Sequence, residues 1–213
     1  MSENAVIRVP ADNTIASNAA DIIINGPQAR FETGTASSSV EVIEPLVLNA
    51  PEGSLTLANG ANYSQYQFDN QGRLTVDSSS FSVSDSFSNS GEVTVDGSGN
   101  LDVTNGYVQA AGTTIVNGTL TSPSGVSVTG GVLGGSGDIV ADVVNTGATV
   151  APGNSPGILD ITGDYTQDAS ATLLLELAGR DADIPEFDRL RVTGIATLDG
   201  TVRVELLNDF EPT

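Results

Sequence analysis

Between residues 130 and 204 the apolar side chains recur with a period of two, in short runs interrupted by glycine, asparagine, aspartate or proline. Period two places alternate side chains on one face of an extended strand, whereas a helix requires a spacing of three or four. Clusters such as Gly134-Gly135-Ser136-Gly137 supply the positive backbone angles of tight turns. The turns follow one another too closely for a sandwich, so the pattern predicts short strands joined by corners.

A weaker internal repeat runs through residues 41–129. Residues 70–77 and 89–96 share the frame Asn-x-Gly-x-Leu/Val-Thr-Val-Asp, with an offset of 19 residues. This period is about one turn of a coil made of three short strands. We therefore predict coils stacked about 4.8 Å apart, with the turn asparagines forming a ladder of amide hydrogen bonds.

Shorter echoes of this frame begin at Asn100 and Asn145. A second element, Tyr-x-Gln, recurs at Tyr63-Ser64-Gln65, Tyr107-Val108-Gln109 and Tyr165-Thr166-Gln167. The run Leu173-Leu174-Leu175 has helical propensity, but its neighbours alternate as in a strand, so no helix is predicted.

Several spaced elements in the second half of the chain carry a family resemblance. They are Gly130-Gly131-Val132-Leu133-Gly134-Gly135-Ser136-Gly137-Asp138-Ile139, Asn145-Thr146-Gly147, residues 150–157, Gly163-Asp164-Tyr165-Thr166-Gln167, residues 175–179, residues 187–194 and residues 196–200. Together they resemble the passenger-associated repeat of bacterial autotransporters, which is also found in other large secreted surface proteins. The resemblance spans residues 130–204 and implies a right-handed parallel β-helix, located extracellularly or on the bacterial cell surface. It implies no catalytic residues, because the family motif consists of turns and core positions.

The predicted organisation is an N-terminal cap or assembly segment, residues 1–40, followed by a β-helix over residues 41–213. Residues 5–9 and 21–24 are predicted strands, and Asn25-Gly26-Pro27 is a predicted turn. Met1-Ser2-Glu3-Asn4 does not resemble the start of a secretory signal. We therefore expect this chain to be a fragment of an exported protein, truncated at its C-terminus.

Composition supports a narrow core and excludes several functions. Aromatic residues make up 5% of the chain and tryptophan is absent, which suits a coil filled with stacked aliphatic side chains. The net charge of −20 disfavours nucleic acid and direct membrane insertion. Because histidine and cysteine are absent, catalytic triads and ordinary zinc sites are excluded, and the chain is predicted not to be an enzyme.

Two segments stand out as candidate sites. The polar stretch 179–188 is predicted to protrude from a coil corner, and its acidic residues are weak candidates for Ca²⁺ ligands: Asp181, Asp183, Glu186 and Asp188. Their spacing fits no known calcium loop, so a solvated loop is the simpler interpretation and no cofactor is otherwise expected. The structural turn motif consists of consecutive turns with two Pro-Gly steps: Pro152, Gly153, Asn154, Ser155, Pro156 and Gly157.

Three hypotheses about function remain open. The first is a structural stalk or scaffold segment of an exported bacterial protein, which can assemble with itself head to tail. The alternative is an adhesin that binds a surface glycan or host protein, and the weakest is a polysaccharide-active enzyme. A featureless polar face would favour the stalk, and a groove of carboxylates and arginine would favour the enzyme. An exposed aromatic strip would favour the adhesin, and its candidates are Tyr63, Tyr66, Phe68, Phe81 and Phe87.

Overall fold

The computed structural model describes residues 6–9, 15–35, 38–40, 46–181 and 186–211. Over these residues the chain consists of strands and turns, without a helix. From residue 46 onward, every third strand joins the same sheet, so the chain winds around three parallel sheets that enclose one interior. The fold is a parallel β-helix, or β-solenoid, as the sequence predicts.

The strands divide among three large sheets and one small one. Sheet A contains β2 (Asp21–Asn25), β6 (Ser54–Ala58), β9 (Arg73–Asp77), β12 (Glu92–Asp96), β15 (Thr113–Val116), β18 (Val132–Gly135), β21 (Thr149–Pro152), β24 (Thr172–Leu177) and β27 (Thr201–Leu206). Sheet B contains β7 (Asn62–Gln65), β10 (Ser80–Val83), β13 (Asn100–Val103), β16 (Thr119–Thr121), β19 (Asp138–Val140), β22 (Ile158–Thr162) and β25 (Arg189–Val192). Sheet C contains β5 (Leu48–Asn49), β8 (Phe68–Asn70), β11 (Phe87–Asn89), β14 (Tyr107–Gln109), β17 (Val126–Val128), β20 (Val143–Asn145), β23 (Tyr165–Gln167) and β26 (Ala196–Thr197). The small sheet contains β1 (Val6–Val9), β3 (Arg30–Thr35) and β4 (Ser38–Val40).

The 19-residue period is confirmed by the pairing of the coils. Asn70 pairs with Asn89 in sheet C, and Arg73 pairs with Glu92 in sheet A. Each pair is offset by 19 residues, so one repeat of the sequence corresponds to one coil of the structure. Residues in equivalent positions therefore form columns that run along the solenoid axis.

Not every echo in the sequence occupies the same column. Tyr107 and Tyr165 both begin strands of sheet C, but Tyr63 lies in β7 of sheet B. Asn145 ends a strand of sheet C, as Asn70 does, whereas Asn100 begins β13 in sheet B. The echoes at Tyr63 and Asn100 are therefore local similarities of sequence, and their interpretation as coil repeats is wrong.

The N-terminal region contributes a first rung. The predicted strands at residues 5–9 and 21–24 are observed as β1 and β2, and β2 pairs with β6 in parallel. Asn18 bridges to Asn49 in sheet C. Residues 30–35 leave the solenoid to join the small sheet, where β3 pairs with β1 and with β4. Whether residues 1–40 act as a cap or in assembly stays a prediction.

Inward-facing side chains form one continuous core. Its aliphatic part alternates along each strand, as in β9, where Leu74 and Val76 are buried between exposed neighbours. The aromatic residues meet inside where sheets B and C converge, and the Phe87 and Tyr107 rings stack at a centroid distance of 5.0 Å. Burial of the Tyr107 hydroxyl raises the pKa of that side chain, which therefore stays neutral.

A column of buried amides runs beside this core, at the corner where sheet C leads into sheet A. We call it the amide ladder, and its members are Asn18, Asn49, Asn70, Asn89, Gln109, Asn145 and Gln167, interrupted at Val128. The first four are linked directly by three hydrogen bonds. Nδ2 of Asn18, Asn49 and Asn70 donates to Oδ1 of the next asparagine in the column, at 2.8 to 2.9 Å. The same nitrogens also donate to backbone carbonyls of the turns, as Asn70 does to the Glu92 carbonyl at 3.0 Å.

The ladder changes its form where glutamine replaces asparagine. Asn89 donates to the Thr114 hydroxyl at 3.2 Å, and that hydroxyl donates to Gln109 Oε1 at 2.5 Å. Tyr107 shares a further 2.5 Å hydrogen bond with Thr114. A buried hydroxyl thus links two amides, and each polar group in this part of the interior has a partner. The predicted ladder of asparagine side chains is confirmed.

We expect Asn70→Ala to lower the free energy of unfolding by about 2–4 kcal/mol, because it removes the buried hydrogen bonds of Asn70 with Asn49 Nδ2, Asn89 Oδ1 and the Glu92 carbonyl. Gln71→Ala is the matched control, since the adjacent Gln71 side chain is exposed and bonds only to Asp69; its effect should stay within about 0.5 kcal/mol. Equilibrium unfolding in urea measures both. Equal effects of the two substitutions would contradict a stabilising role of the ladder.

Candidate functional site

A shallow groove of about 730 Å³ runs along the corner between sheets C and A. We call it the corner groove. Its lining includes the turns and the first residues of β6, β9, β12 and β15: Asp21, Pro51, Glu52, Gly53, Ser54, Thr56, Gln71, Gly72, Arg73, Thr75, Ser90, Gly91, Glu92, Gly112 and Thr113. The groove lies directly outside the amide ladder.

The floor of the groove is a column of glycines: Gly53, Gly72, Gly91 and Gly112. A Cβ atom on Gly91 would overlap the carbonyl oxygen of Gly72, and one on Gly112 would overlap that of Gly91. The close approach is needed because these carbonyls accept hydrogen bonds from the next coil, as the Gly72 carbonyl does from Glu92 N–H at 2.8 Å. The amide ladder and the glycine column thus fix the same corner from inside and outside.

The walls of the groove carry paired charges. Arg73 Nε donates to Glu92 Oε2 at 2.9 Å, and both side chains are more than half exposed. On the preceding coils, the Ser54 hydroxyl donates to Asp21 Oδ1 at 2.6 Å. An exposed ion pair contributes roughly 0–1 kcal/mol to stability. Arg73 and Glu92 could therefore exchange this ion pair for contacts with another molecule at little cost to the fold. Catalytic carboxylates are commonly buried beside a group that shifts their pKa, and the exposed carboxylates of the groove lack that burial.

The segment predicted to protrude lies between β24 and β25. Its two arms pair with each other: Leu177 bridges Phe187, and the Ala178 N–H donates to the Glu186 carbonyl at 2.7 Å. Glu186 Oε2 accepts from the N–H groups of Arg180 and Asp181, at 2.8 and 2.9 Å. The carboxylate therefore closes the loop on itself.

Asp188 is buried and is held by two backbone donors. Its Oδ1 accepts from Gly157 N–H and its Oδ2 from Glu176 N–H, each at 2.8 Å. Burial raises the pKa of Asp188 above the ordinary value of an aspartate; the two N–H groups oppose this rise, and the Glu176 carboxylate adds to it. Asp188 fastens β24 and the Pro152–Gly157 turn motif to the start of β25.

The four calcium candidates therefore have different surroundings. Asp183 lies outside the described residues. The carboxylate oxygens of Glu186 and Asp188 accept hydrogen bonds from backbone N–H groups, and the side chain of Asp181 is exposed. Among the described residues no three carboxylates gather as a metal-binding group. Calcium binding by this loop stays a prediction.

The Pro152–Gly157 motif begins at the last residue of β21 and leads into β22. It contains a cis Ser155–Pro156 peptide bond, and Ser155 has a φ of 63°. Asn154 Nδ2 donates to Asn117 Oδ1 at 3.0 Å, which ties the motif to the corresponding corner of an earlier coil. The motif lengthens one coil and keeps its contact with the corner at Asn117.

The candidate aromatic strip is divided between core and surface. Tyr63, Phe68, Phe81 and Phe87 are buried, and Tyr66 alone of the five is exposed. The buried rings contact one another, as Phe68 and Phe81 do edge to face at 5.0 Å. These side chains therefore do not form a surface strip on which sugars could stack.

Two features of the surface were not predicted from the sequence: the glycine column of the corner groove and an exposed ion pair between Asp160 and Arg191. Arg191 Nε donates to Asp160 Oδ1 at 2.6 Å on the outer face of sheet B, and this pairing raises the pKa of Arg191. The Asn-x-Gly frame shared by residues 70–72 and 89–91 already contains the signal for the glycine column. The Asp160–Arg191 pair has no such signal, because its members lie 31 residues apart, which is longer than the 19-residue period of the repeated frame.

Comparisons of the chain with protein-family models, with curated proteins and with solved structures found no match. The resemblance to the passenger-associated repeat thus stays a prediction. No helix in the described ranges has the length and apolar character of a membrane span.

Gly91→Ala should lower the free energy of unfolding by about 3 kcal/mol or more, because the added methyl group meets backbone that cannot move without breaking the next coil. Gly97→Ala is the matched control: it has open space around it but a φ of 40°, so only backbone strain of about 1–2 kcal/mol opposes it. Unfolding in guanidinium chloride ranks the two. The reverse order would contradict the tight contact at the corner.

For Asp188 we expect a pH-dependent contribution to stability. Since its pKa is higher in the folded than in the unfolded chain, the stabilisation from its bound proton is fully present below about pH 4 and is lost as the pH rises through the folded pKa. Asp188→Asn removes this titration and leaves one backbone N–H without an acceptor. The advantage of wild type over D188N in urea unfolding should therefore shrink from pH 3 to pH 7.

The control for this series is Asp102→Asn on the exposed face of sheet B. Its unfolding free energy should follow that of the wild type across the same range. A difference between wild type and D188N that is independent of pH would argue against titration of Asp188 in the folded chain.

Proposed function

We propose that this β-helical segment is a stalk or scaffold that sets a fixed distance between the parts of a secreted or cell-surface bacterial protein. The observation that carries the proposal is the continuity of the columns. The amide ladder extends from Asn18 to Gln167 with one interruption at Val128, and the sheets pair in parallel beside it along the same length, so each coil is fastened to the next by strand pairing. Such a column resists bending and transmits load along its axis.

The lateral surface supports a structural role. Several strands expose small polar side chains, for example Ser82 in β10 and Ser88 in β11, although Val108, Val140 and Val144 are exposed on other strands. The corner groove is shallow, and its one arginine forms an exposed ion pair with Glu92. A polar face without an aromatic strip is the pattern that a spacer needs, because a spacer must stay soluble and avoid lateral association.

Export to the cell surface rests on the resemblance of residues 130–204 and on the acidic, cysteine-free composition. An antibody against the purified chain should label intact cells of the source bacterium. Labelling only after lysis would contradict this part of the proposal and leave the mechanical part untouched.

The corner groove has the combination of carboxylates and arginine expected of an enzyme, but its carboxylates are exposed, so an adhesin remains the second candidate. It places one arginine and several carboxylates within a surface concavity, where polar hydroxyl groups of a glycan or a host protein could bind. An enzyme is the weakest candidate, because the carboxylates of the groove are exposed and lack the burial that prepares such groups for acid–base chemistry.

The spacer proposal predicts that one coil can be removed without loss of the fold. Deletion of residues 73–91 joins Gly72 to Glu92, which occupies the position of Arg73 in the next coil. The product should fold, and the distance between spin labels at Ala20→Cys and Thr197→Cys should shorten by about 4.8 Å. The natural chain contains no cysteine, so these two labels are the only ones attached.

Deletion of residues 73–87 is the control, because it removes less than a full coil and places Ser88 where Arg73 stands. This variant should lose its cooperative unfolding. If both deletions fold equally well, register does not govern the column. A glycan- or protein-binding activity that disappears with residues 73–91 would favour the adhesin instead.

A further inference from the structure

Four Asn-Gly steps occur in the chain, each at a corner of the solenoid: Asn25-Gly26, Asn59-Gly60, Asn105-Gly106 and Asn117-Gly118. An asparagine followed by glycine is prone to lose its side-chain amide, because glycine has no Cβ atom to hinder attack by its backbone nitrogen on the side-chain carbonyl carbon. The attack requires a glycine N–H without a hydrogen bond and a backbone that can move. The fold therefore decides which of the four steps can react.

In three of the steps the glycine N–H is held by an adjacent coil. These groups donate to backbone carbonyls, each at 2.9 Å: Gly26 to Ala58, Gly60 to Ser78 and Gly118 to Val95. Gly118 is also buried, and a Cβ atom on it would lie 2.3 Å from the carbonyl oxygen of Gly99. Reaction at these steps first requires a local opening that breaks the hydrogen bond, which lowers the reactive fraction of molecules.

The fourth step has different surroundings. The side chain of Asn105 is exposed, and the N–H of Gly106 donates to none of the residues that the structure describes. The space around Gly106 is open, since a Cβ atom on it would come no closer than 3.8 Å to the carbonyl oxygen of Gly125. Asn105 and Gly106 also line a surface notch of about 330 Å³. Water and hydroxide can therefore reach both reacting groups.

We propose that Asn105 is a site of spontaneous deamidation, which reacts in preference to the other three Asn-Gly steps. The nitrogen of Gly106 gives its proton to hydroxide and forms a bond to Cγ of Asn105. The side-chain nitrogen takes a proton from water and leaves as ammonia, and a cyclic succinimide remains. Water then adds to either carbonyl group of the succinimide and opens the ring to aspartate or isoaspartate. The net reaction consumes water and releases ammonia.

The modification changes the contacts at the corner between β13 and β14. Asn105 Nδ2 donates to Asp85 Oδ1 at 2.9 Å, and this hydrogen bond is lost when the nitrogen leaves. The new carboxylate lies beside that of Asp85, and the two negative charges repel one another. Isoaspartate also adds one carbon atom to the backbone, but it does so outside the strands. The product is therefore a folded chain with one more negative charge, and its amount records the age of the molecule.

The experiment is incubation of the full chain at mildly alkaline pH, followed by digestion with chymotrypsin and mass spectrometry. Cleavage after leucine, phenylalanine and tyrosine places each Asn-Gly step on a separate peptide. Conversion at Asn105 should be at least about tenfold faster than at Asn25, Asn59 or Asn117, because each of these must first break a hydrogen bond. An equal or faster rate at any of the other three would overturn the proposal.

The unfolded chain is the matched control. In guanidinium chloride the hydrogen bonds between coils are absent, and glycine follows each of the four asparagines. All four steps should therefore convert at similar rates. A preference for Asn105 that persists in the unfolded chain would show that the local sequence selects this site, and the structural argument would then be wrong.

Two variants identify the modified residue. Asn105→Gln keeps an amide, but its ring closure is slower because a larger ring must form. This variant should lose the rapid conversion, while Asn59 and Asn117 react as in the wild type. Asn105→Asp carries the charge of the product, and on anion exchange it should elute with the aspartate form of the incubated wild type. Circular dichroism verifies that both variants fold. Rapid formation of an acidic species by folded N105Q would contradict the assignment to Asn105.

Discussion

The fold depends on parallel pairing in register between one coil and the next. A coil has two open edges and one apolar face, and it buries neither by itself. Stacking satisfies both requirements, but only when equivalent residues lie above one another. The amide ladder makes this requirement strict, because Asn49, Asn70 and Asn89 are buried and each bonds to the amide side chain of the neighbouring coil. A slipped coil would bury amides without partners, which is costly in a medium of low polarity.

The same requirement decides where the chain can vary. Strand positions are constrained on the inside by the core and at the corner by the glycine column, where even a methyl group meets the backbone of the coil before it. Insertions are accommodated at the other corners, as the Pro152–Gly157 motif and the segment between β24 and β25 show. Asp188 then fastens both insertions to the column through Gly157 and Glu176. Variation is therefore concentrated on corners, and the lateral faces stay regular.

This division is consistent with the structural function proposed for the segment. The polar groups that are buried serve to hold coils together, and their hydrogen bonds are used within the protein. The charged groups that remain available lie on open faces in contact with water.

The sequence by itself determined the strands, the turns and the period of the coils. These follow from local rules: alternation of apolar residues, glycine at positive φ, and a frame that recurs after 19 residues at Asn70 and Asn89. The amide ladder could be predicted for the same reason. What only the tertiary structure decided is which similar segments share a column and which distant residues meet. The offset between paired residues changes from 17, for Val132 and Thr149, to 31, for Tyr165 and Ala196. Because insertions at the corners change the length of a coil, the sequence separation does not tell which residues of successive coils are in contact. The environments of Tyr63, Asp188 and the last strand are therefore decided by the stacking of the coils.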